Sequence, residues 1–335
     1  MVNILITGSS GYLGENLILK LFKQKKYKIT GIDIKPNKKT EGLIRFVNAD
    51  ISNGEALKQN LNNIDVICHC ASLLHRVEYN TKESFKSTNI DGTMNIYNLA
   101  KENGVKKIVL TSSVGAISMD LRNQKWPVNE NHISDPNNFG VSPYHYGESK
   151  KSQEHIAKTF ADKFNIQTIV LRPPAFFAVE DDHEIGFRLT GSYAVVDDIA
   201  NAHVAAIDLL LDKQKSESIN KFEIIFITNN LPYKDSDKRL IRDGKMRKIV
   251  SKYWPEGSKF IFELGYKRAI FSGVYDLSKA KKILNWEPSF NFNEWYNYCK
   301  EKNLTFENRK QKWKKKKSLK HKIFRFFSKI KKRFD

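Results

Sequence analysis

Apolar residues arrive along this chain in short, near-continuous runs, separated by stretches with a helical repeat. Ile4 to Ile6 is one such run. A glycine-spaced turn follows, and then Leu13, Leu17 and Leu21, with Ile18 and Phe22 beside them, at the spacing of one helix face. Residues 27–33, 44–47, 65–72, 105–113, 166–171 and 222–227 read as further strands. Helices are expected over 53–62, 82–103, 145–164 and 198–211, and a polar, basic helical stretch over 229–252. Residues 137–144 read as a loop, with Pro136 and Pro143 as breakers. Strands that are apolar throughout, alternating with helices, predict an α/β fold: a doubly wound parallel sheet covered on both faces.

In such sheets ligands sit beyond the carboxyl ends of the strands. Gly8, Asp33, Asp50, Ala71, Ser113 and Pro173 all fall at expected strand ends. The turn from Gly8 through Ser10, Gly11, Tyr12 and Leu13 to Gly14 lies between a strand and a helix. There the first amides of the helix can meet an anion such as a pyrophosphate. Asp33 closes the second strand, where a carboxylate can accept bonds from both hydroxyls of an adenosine ribose and repels a 2′-phosphate. That favours NAD over NADP, with Lys35, Lys38 and Lys39 nearby as an opposing influence. Tyr146 and Lys150 stand four apart, on one helix face. A cation there is expected to lower the phenol pKa, so that Tyr146 takes a proton while hydride leaves the same substrate carbon. Five of the 13 tyrosines precede a lysine by four, so position decides. Of these, Tyr146 starts the helix between the strand ending at Ser113 and the strand ending near Pro173.

With these residues in place the chain resembles the extended short-chain dehydrogenase/reductase family, especially its NAD-dependent epimerase/dehydratase group. The resemblance spans roughly 2–300. It rests on Thr7 to Gly14, Asp33, Asp50-Ile51, His69-Cys70-Ala71-Ser72, Asn89-x-x-Gly92-Thr93 and Thr111-Ser112-Ser113. It continues through Tyr146-x-x-x-Lys150, Leu171-Arg172-Pro173, Val196 to Ala200, Tyr275 to Lys279 and Leu284 to Pro288. It implies a Rossmann-type sheet with a small C-terminal substrate-binding lobe, and NAD as cofactor. The implied division is an NAD-binding domain over 1–172, rejoined by 192–228. A lobe of 173–191 and 229–305 follows, then a tail of 306–335. By the resemblance Tyr146 is the general acid/base, Lys150 holds the nicotinamide ribose, and Ser113 bonds the reacting oxygen. Asp50 and Ile51 border the adenine. Cys70, Ala71 and Ser72 line the cofactor, Asn89 supports its backbone, and Pro173 lies near the nicotinamide. Asp197 and Asp198 are expected to be a helix N-cap and a first-turn acid.

Two departures bear on the reaction. The family's 4,6-dehydratases carry an Asp-Glu pair after the catalytic hydroxyl residue. Here Val114 and Gly115 follow Ser113, which disfavours dehydration. The segment between Pro173 and Val196 is also short. That weakens a nucleoside-diphosphate-sugar reading and admits a free sugar acid, an aldehyde or a ketone. Arg188 in that segment is a candidate for a substrate anion. The leading expectation is an epimerase or oxidoreductase acting on a secondary alcohol or ketone of a sugar or nucleotide-sugar. A non-catalytic NAD-binding protein anchored by its tail is the reading of another class.

Net charge changes the picture at one end. Of the chain's +20, residues 309–335 hold 14 Lys and Arg against a single acid, Asp335. Within 321–334, Ile323, Phe327, Ile330 and Phe334 form one apolar stripe in a basic helix pattern. That suits an anionic membrane surface, with nucleic-acid contact or a solvated end as competing readings. Nucleic acid is the least expected partner. A small-molecule substrate and a second copy of the chain are the others. Three cysteines make no disulfide framework, and Cys68-His69-Cys70 has no second ligand pair near it in sequence, so no metal is expected. With no apolar run long enough to span a bilayer and no leader pattern, a cytoplasmic location is expected, at most peripheral to the inner membrane face.

Overall fold

The computed structural model describes residues 1–58, 63–74, 81–117, 125–132, 144–178, 186–263 and 273–303. The basic tail, most of the loop expected over 137–144, and 59–62 of the second expected helix lie outside the described residues.

The chain opens with β1 (Val2–Thr7), β2 (Tyr27–Asp33), β3 (Arg45–Asn48), β4 (Val66–His69), β5 (Lys107–Thr111) and β6 (Gln167–Arg172). Next, β7 (Phe176–Phe177) and β8 (Ala194–Val195) form a separate parallel pair. After them, β9 (Phe222–Phe226) returns to the main sheet beside β6. The seven-stranded sheet is parallel throughout, in the order β3-β2-β1-β4-β5-β6-β9. Its order reverses between β1 and β4, which opens a crevice at their carboxyl ends.

The two faces are closed as the apolar pattern requires. On one face α1 (Tyr12–Lys23) packs Leu13, Leu17 and Leu21 against Ile4, Ile6, Cys68 and Val109. The other face carries α2 (Gly54–Lys58), α3 (Lys82–Phe85), α4 (Gly92–Glu102) and α5 (Tyr144–Phe164), with Ile96, Tyr97, Ala157 and Phe160 in its core. Beside α1 lies α6 (Val196–Leu211), followed by α7 (Lys213–Glu217). A third apolar cluster gathers around Phe292 and Trp295. It draws on α8 (Lys238–Arg242), α9 (Met246–Tyr253), α10 (Pro255–Glu263) and α12 (Phe292–Glu301), together with Val114, Phe177 and Leu189, whereas α11 (Ser278–Leu284) packs its Ala280 and Leu284 into the cluster of α1 and α6. The described residues contain no helix long and apolar enough to cross a membrane.

Three expectations need correction. The single helix expected over 82–103 is broken by a π-helical segment, Lys86–Asp91, between α3 and α4. A π turn widens the coil and re-aims the side chains within it, and Asn89 lies in this one. The second concerns Asp197 and Asp198, which are first-turn acids as expected, while neither is the N-cap. Helix α6 starts from Val195 with no side-chain cap. Asp197 pairs with Lys20 at 2.7 Å. Buried Asp198 accepts from the backbone of Ser289 and Phe290, each at 3.0 Å, and so ties the segment after α11 to α6. The third is the basic stretch over 229–252. It is split into a 3₁₀ turn (Asp235–Asp237), α8 and α9, and acids within it answer much of its charge. Lys238 pairs with Asp235, Lys245 with Asp243 at 3.0 Å, and Lys252 with Asp237 at 2.7 Å.

Candidate functional site

The glycine turn is shaped by contacts no other residue would allow. Gly8 has φ +69°, and a Cβ there would lie 2.7 Å from the Ala71 nitrogen. A Cβ on Gly14 would lie 2.2 Å from the Gly8 carbonyl oxygen. Helix and strand can meet this closely only without side chains. Gly11 occupies the N-cap of α1 and offers no side-chain acceptor to the first turn, the helix end that favours an anion. Asp33 is oriented by two backbone donors: Ser10 N–H to Oδ2 at 3.0 Å and Ile34 N–H to Oδ1 at 2.8 Å. One wall of the crevice therefore joins an amide cradle to a held carboxylate, an arrangement that fits a pyrophosphate and a ribose diol. Asp50 caps its own turn, accepting from Ser52 N–H at 2.9 Å, with Ile51 buried beside it.

The other wall is organised by Asn89. Its Oδ1 accepts from Leu73 N–H at 2.7 Å, and its amide donates to Ser149 Oγ at 2.9 Å. Ser149 in turn donates to the Tyr146 carbonyl at 2.8 Å. Asn89 thus ties the exit of β4, where Cys70, Ala71 and Ser72 lie, to the helix that carries Tyr146 and Lys150. A second buried chain runs parallel to it. Thr7 Oγ1 meets His69 Nδ1 at 2.6 Å, and His69 Nε2 meets Thr93 Oγ1 at 2.9 Å. Burial, assisted by the Lys150 charge, pushes His69 down to about 3, so it serves as a neutral hydrogen-bonding link.

Ser113 and Tyr146 come together at the end of β5, and their hydroxyls hydrogen-bond. Ser113 Oγ also accepts from Gly115 N–H at 3.0 Å. The Tyr146 ring lies edge-on to Phe85, with centroids 6.2 Å apart. Lys150 is 2% exposed and donates to the Thr111 carbonyl at 2.9 Å, with Nζ 5.9 Å from the Tyr146 ring centroid. Burial pushes its ammonium down to about 8. Burial also raises the Tyr146 phenol above its ordinary value, against the opposing Ser113 bond. This reverses the lowering expected from the Lys150 charge. Desolvation of the phenolate outweighs a cation whose proton is already turned toward Thr111.

Pro173 follows β6, and its carbonyl accepts from Val114 N–H at 3.0 Å, which joins it to the Ser113 turn. Arg188 sits in a 3₁₀ turn (Gly186–Thr190), its guanidinium 5.3 Å from the Tyr193 ring centroid. Its Nε is buried without a hydrogen-bond partner among the described residues. The turn is held by Asn229, whose amide donates to the carbonyls of Leu189 at 2.9 Å and Gly191 at 2.8 Å.

Several contributors went unread in sequence. Phe176 stacks on the ring of Tyr12, with centroids 6.3 Å apart. Glu154 accepts from both Arg172 and Ser112 beneath the Ser113 and Pro173 turns. Glu154 lies one helical turn past Lys150, the one signal that could have placed it on the same face.

The model of the NAD dependent epimerase/dehydratase family matches residues 4–189. A sterol-4-alpha-carboxylate 3-dehydrogenase, decarboxylating, of Candida albicans is 27% identical over 321 residues, covering 85% of this chain and 85% of that protein. An N-acetyl-alpha-D-glucosaminyl-diphospho-ditrans,octacis-undecaprenol 4-epimerase of Escherichia coli O157:H7 is 27% identical, covering 52% of this chain and 49% of that protein. Among solved structures, UDP-glucose 4-epimerase of Thermotoga maritima with UDP-glucose has the same fold. Its TM-score is 0.65 at 19% identity, over 93% of this chain and 100% of that one. A glycine cradle, a held acid and a Ser–Tyr–Lys cluster in one crevice agree with that match, and the chain belongs to the NAD dependent epimerase/dehydratase family, with NAD as its cofactor.

Proposed function

We propose that this chain moves hydride between NAD and a secondary alcohol or ketone of a sugar or nucleotide-sugar, with Tyr146 as general acid/base. The observation that carries this reading is the hydrogen-bonded Ser113–Tyr146 pair at the end of β5, with Lys150 one turn further along α5. Bound NAD supplies the hydride acceptor and donor. The cradle of Gly8, Ser10, Gly11, Tyr12, Leu13 and Gly14 holds its pyrophosphate, and Asp33 its adenosine ribose. Asp50 and Ile51 flank the adenine. Cys70, Ala71, Ser72, Asn89 and Pro173 line the remainder. Ser113 Oγ orients the substrate oxygen, and Tyr146 Oη takes or returns its proton. Lys150 binds the nicotinamide ribose and keeps a positive charge beside the phenol. Beside Ser113 stand buried Val114 and Gly115, neither able to move a proton, so loss of water from the substrate is not part of the reading.

A second reading, a smaller acidic substrate, is favoured by Arg188 and its unpartnered Nε. A guanidinium held in this way suits a carboxylate or phosphate. The two readings separate in a thermal-shift screen with NAD present, across nucleotide-sugars, free sugar acids, simple ketones and a polyprenyl-diphospho-sugar. The last is included because the E. coli relative is named for such a lipid. Stabilisation follows affinity for the folded state, about 2.7 kcal/mol at a hundredfold excess over Kd. Turnover of free NAD at 340 nm with a stabilising compound marks a dehydrogenase, and retained NAD without net turnover marks an epimerase. If no member of any class stabilises the protein or turns over, the sugar reading fails.

We further read the basic tail as a peripheral membrane anchor, on its stripe of Ile323, Phe327, Ile330 and Phe334 amid lysines and arginines. Full-length chain is expected to sediment with vesicles containing anionic lipid, and a chain ending at 308 is not. Equal sedimentation of both would remove the anchor.

A further inference from the structure

Where β4 ends beside α6 lies a buried group of soft ligands whose sulfur and imidazole atoms have no part in the proposed proton and hydride transfer, although Cys70 also belongs to the cofactor lining. Cys68, in β4, and Cys70, just past its end, are two apart in extended chain, so their side chains share a face. That face packs on α6, which contributes His203. One ligand atom from each of the three lies within 4.8 Å of the other two. Cys68 and His203 are fully buried, and Cys70 is partly accessible. The intervening His69 points to the opposite face, with both ring nitrogens engaged by Thr7 and Thr93.

Two details go beyond proximity. The Cys68 and Cys70 sulfurs are 3.6 Å apart. Two thiolates about 2.3 Å from one cation lie roughly 3.8 Å apart in a tetrahedral arrangement and roughly 4.0 Å apart in a trigonal one. The pair therefore stands near a metal-bound separation before any metal arrives. The second detail is the tautomer of His203. Its Nδ1 lies 2.8 Å from the Ile199 carbonyl oxygen, which can only accept, so Nδ1 carries the proton. The lone pair is thus on Nε2, the atom on the thiol side. Backbone support of this kind is how ligating histidines are commonly oriented. Facing it, Thr111 Oγ1 is 2.8 Å from Nε2 and 3.4 Å from Cys70 Sγ. Its single proton serves one of the two acceptors at a time.

We propose that Cys68, Cys70 and His203 bind one soft monovalent cation, copper(I). Thiolates and imidazole select soft metals, while structural zinc sites are almost always four-coordinate. The described residues supply three ligands. Charge points the same way. Two thiolates and one monovalent ion leave a net negative charge, which the buried Lys150 ammonium, bonded to the Thr111 carbonyl, lies close enough to offset. A divalent ion would leave that ammonium uncompensated in a dry interior.

The test is an anaerobic titration of reduced full-length protein against copper(I) supplied as its bicinchoninate complex. One equivalent is expected to move to the protein. Cys68→Ser, Cys70→Ser and His203→Gln are each expected to weaken retention at least tenfold. Cys299→Ser, in α12, serves as the control that keeps it. Should the cluster variants fail to fold, X-ray absorption on the copper-loaded wild type decides: two sulfurs and one nitrogen support the site, and any other sulfur count overturns it. Failure of wild type to take one equivalent, undiminished retention by a folded Cys68→Ser/Cys70→Ser double variant, or preference for zinc(II) over copper(I) likewise overturns it.

Discussion

Tyr146→Phe is expected to lower kcat a hundred- to ten-thousand-fold while leaving NAD affinity within about threefold. A positioned proton donor or acceptor contributes about 10²–10⁴ in rate, and this substitution removes only the atom that exchanges the proton. The phenyl ring keeps its volume and its edge contact with Phe85. The lost hydroxyl bond to Ser113 costs about 1 kcal/mol of stability, too little to unfold the protein. Steady-state kinetics with the substrate found by screening, together with NAD titration, separate the two effects. Burial holds the phenol above its ordinary value in the free protein, so the base form becomes more populated as pH rises. The oxidation rate should therefore climb through the alkaline range, and this climb should be absent in the variant. Unchanged turnover in Tyr146→Phe would remove the residue from catalysis. An unchanged cellular role would favour the non-catalytic reading.

The largest effect on stability is expected at Glu154. Arg172 donates to it through Nε at 2.8 Å and through a terminal nitrogen at 2.7 Å, and Ser112 adds a third bond. Both charged side chains are less than a tenth exposed. Among the described residues the other Arg172 terminal nitrogen has no hydrogen-bond partner, so the guanidinium depends on the Glu154 carboxylate for its charge compensation. Glu154→Ala would leave it buried and unpaired, a defect that costs about 3–5 kcal/mol. Against a typical total of about 5–15 kcal/mol, that is a large share. Urea denaturation should show the midpoint falling accordingly. Adding Arg172→Met should recover part of the loss, because the stranded charge is then gone. If the single variant unfolds at the wild-type midpoint, the pair is not the clasp described. The clasp also bears on the site, since Ser112 precedes Ser113 and Arg172 precedes Pro173. Destabilised but folded variants should therefore lose activity as well.

The metal expectation illustrates how little sequence distance says about a ligand set. Cys68 and Cys70 are legible as a pair on one strand face. His203, on a helix beyond two further strands of the sheet, has no mark in the sequence that assigns it to them. The expectation of no metal rested on sequence neighbours, whereas the arrangement behind the copper proposal arises where α6 crosses the sheet.

What the sequence by itself determined is what repeats or punctuates locally. Apolar runs and helical periods were enough for the parallel sheet and the cover on both faces, and the family resemblance implied the return of 192–228 to the sheet. The glycine turn was readable because only glycine tolerates φ +69° beside Ala71 and the close approach at Gly14. Asp33 was readable by its distance from that turn, and Tyr146 and Lys150 by their place between strands. Tertiary structure alone decided the π turn that brings Asn89 onto Leu73, the capture of Ser289 and Phe290 by Asp198, the Glu154–Arg172 clasp, and the rise rather than fall of the Tyr146 pKa. The physical reason is common to all four. Periodicity is a property of a segment, while burial and partner choice depend on what another segment places against it, and desolvation in that shared interior can outweigh the charge standing next in line.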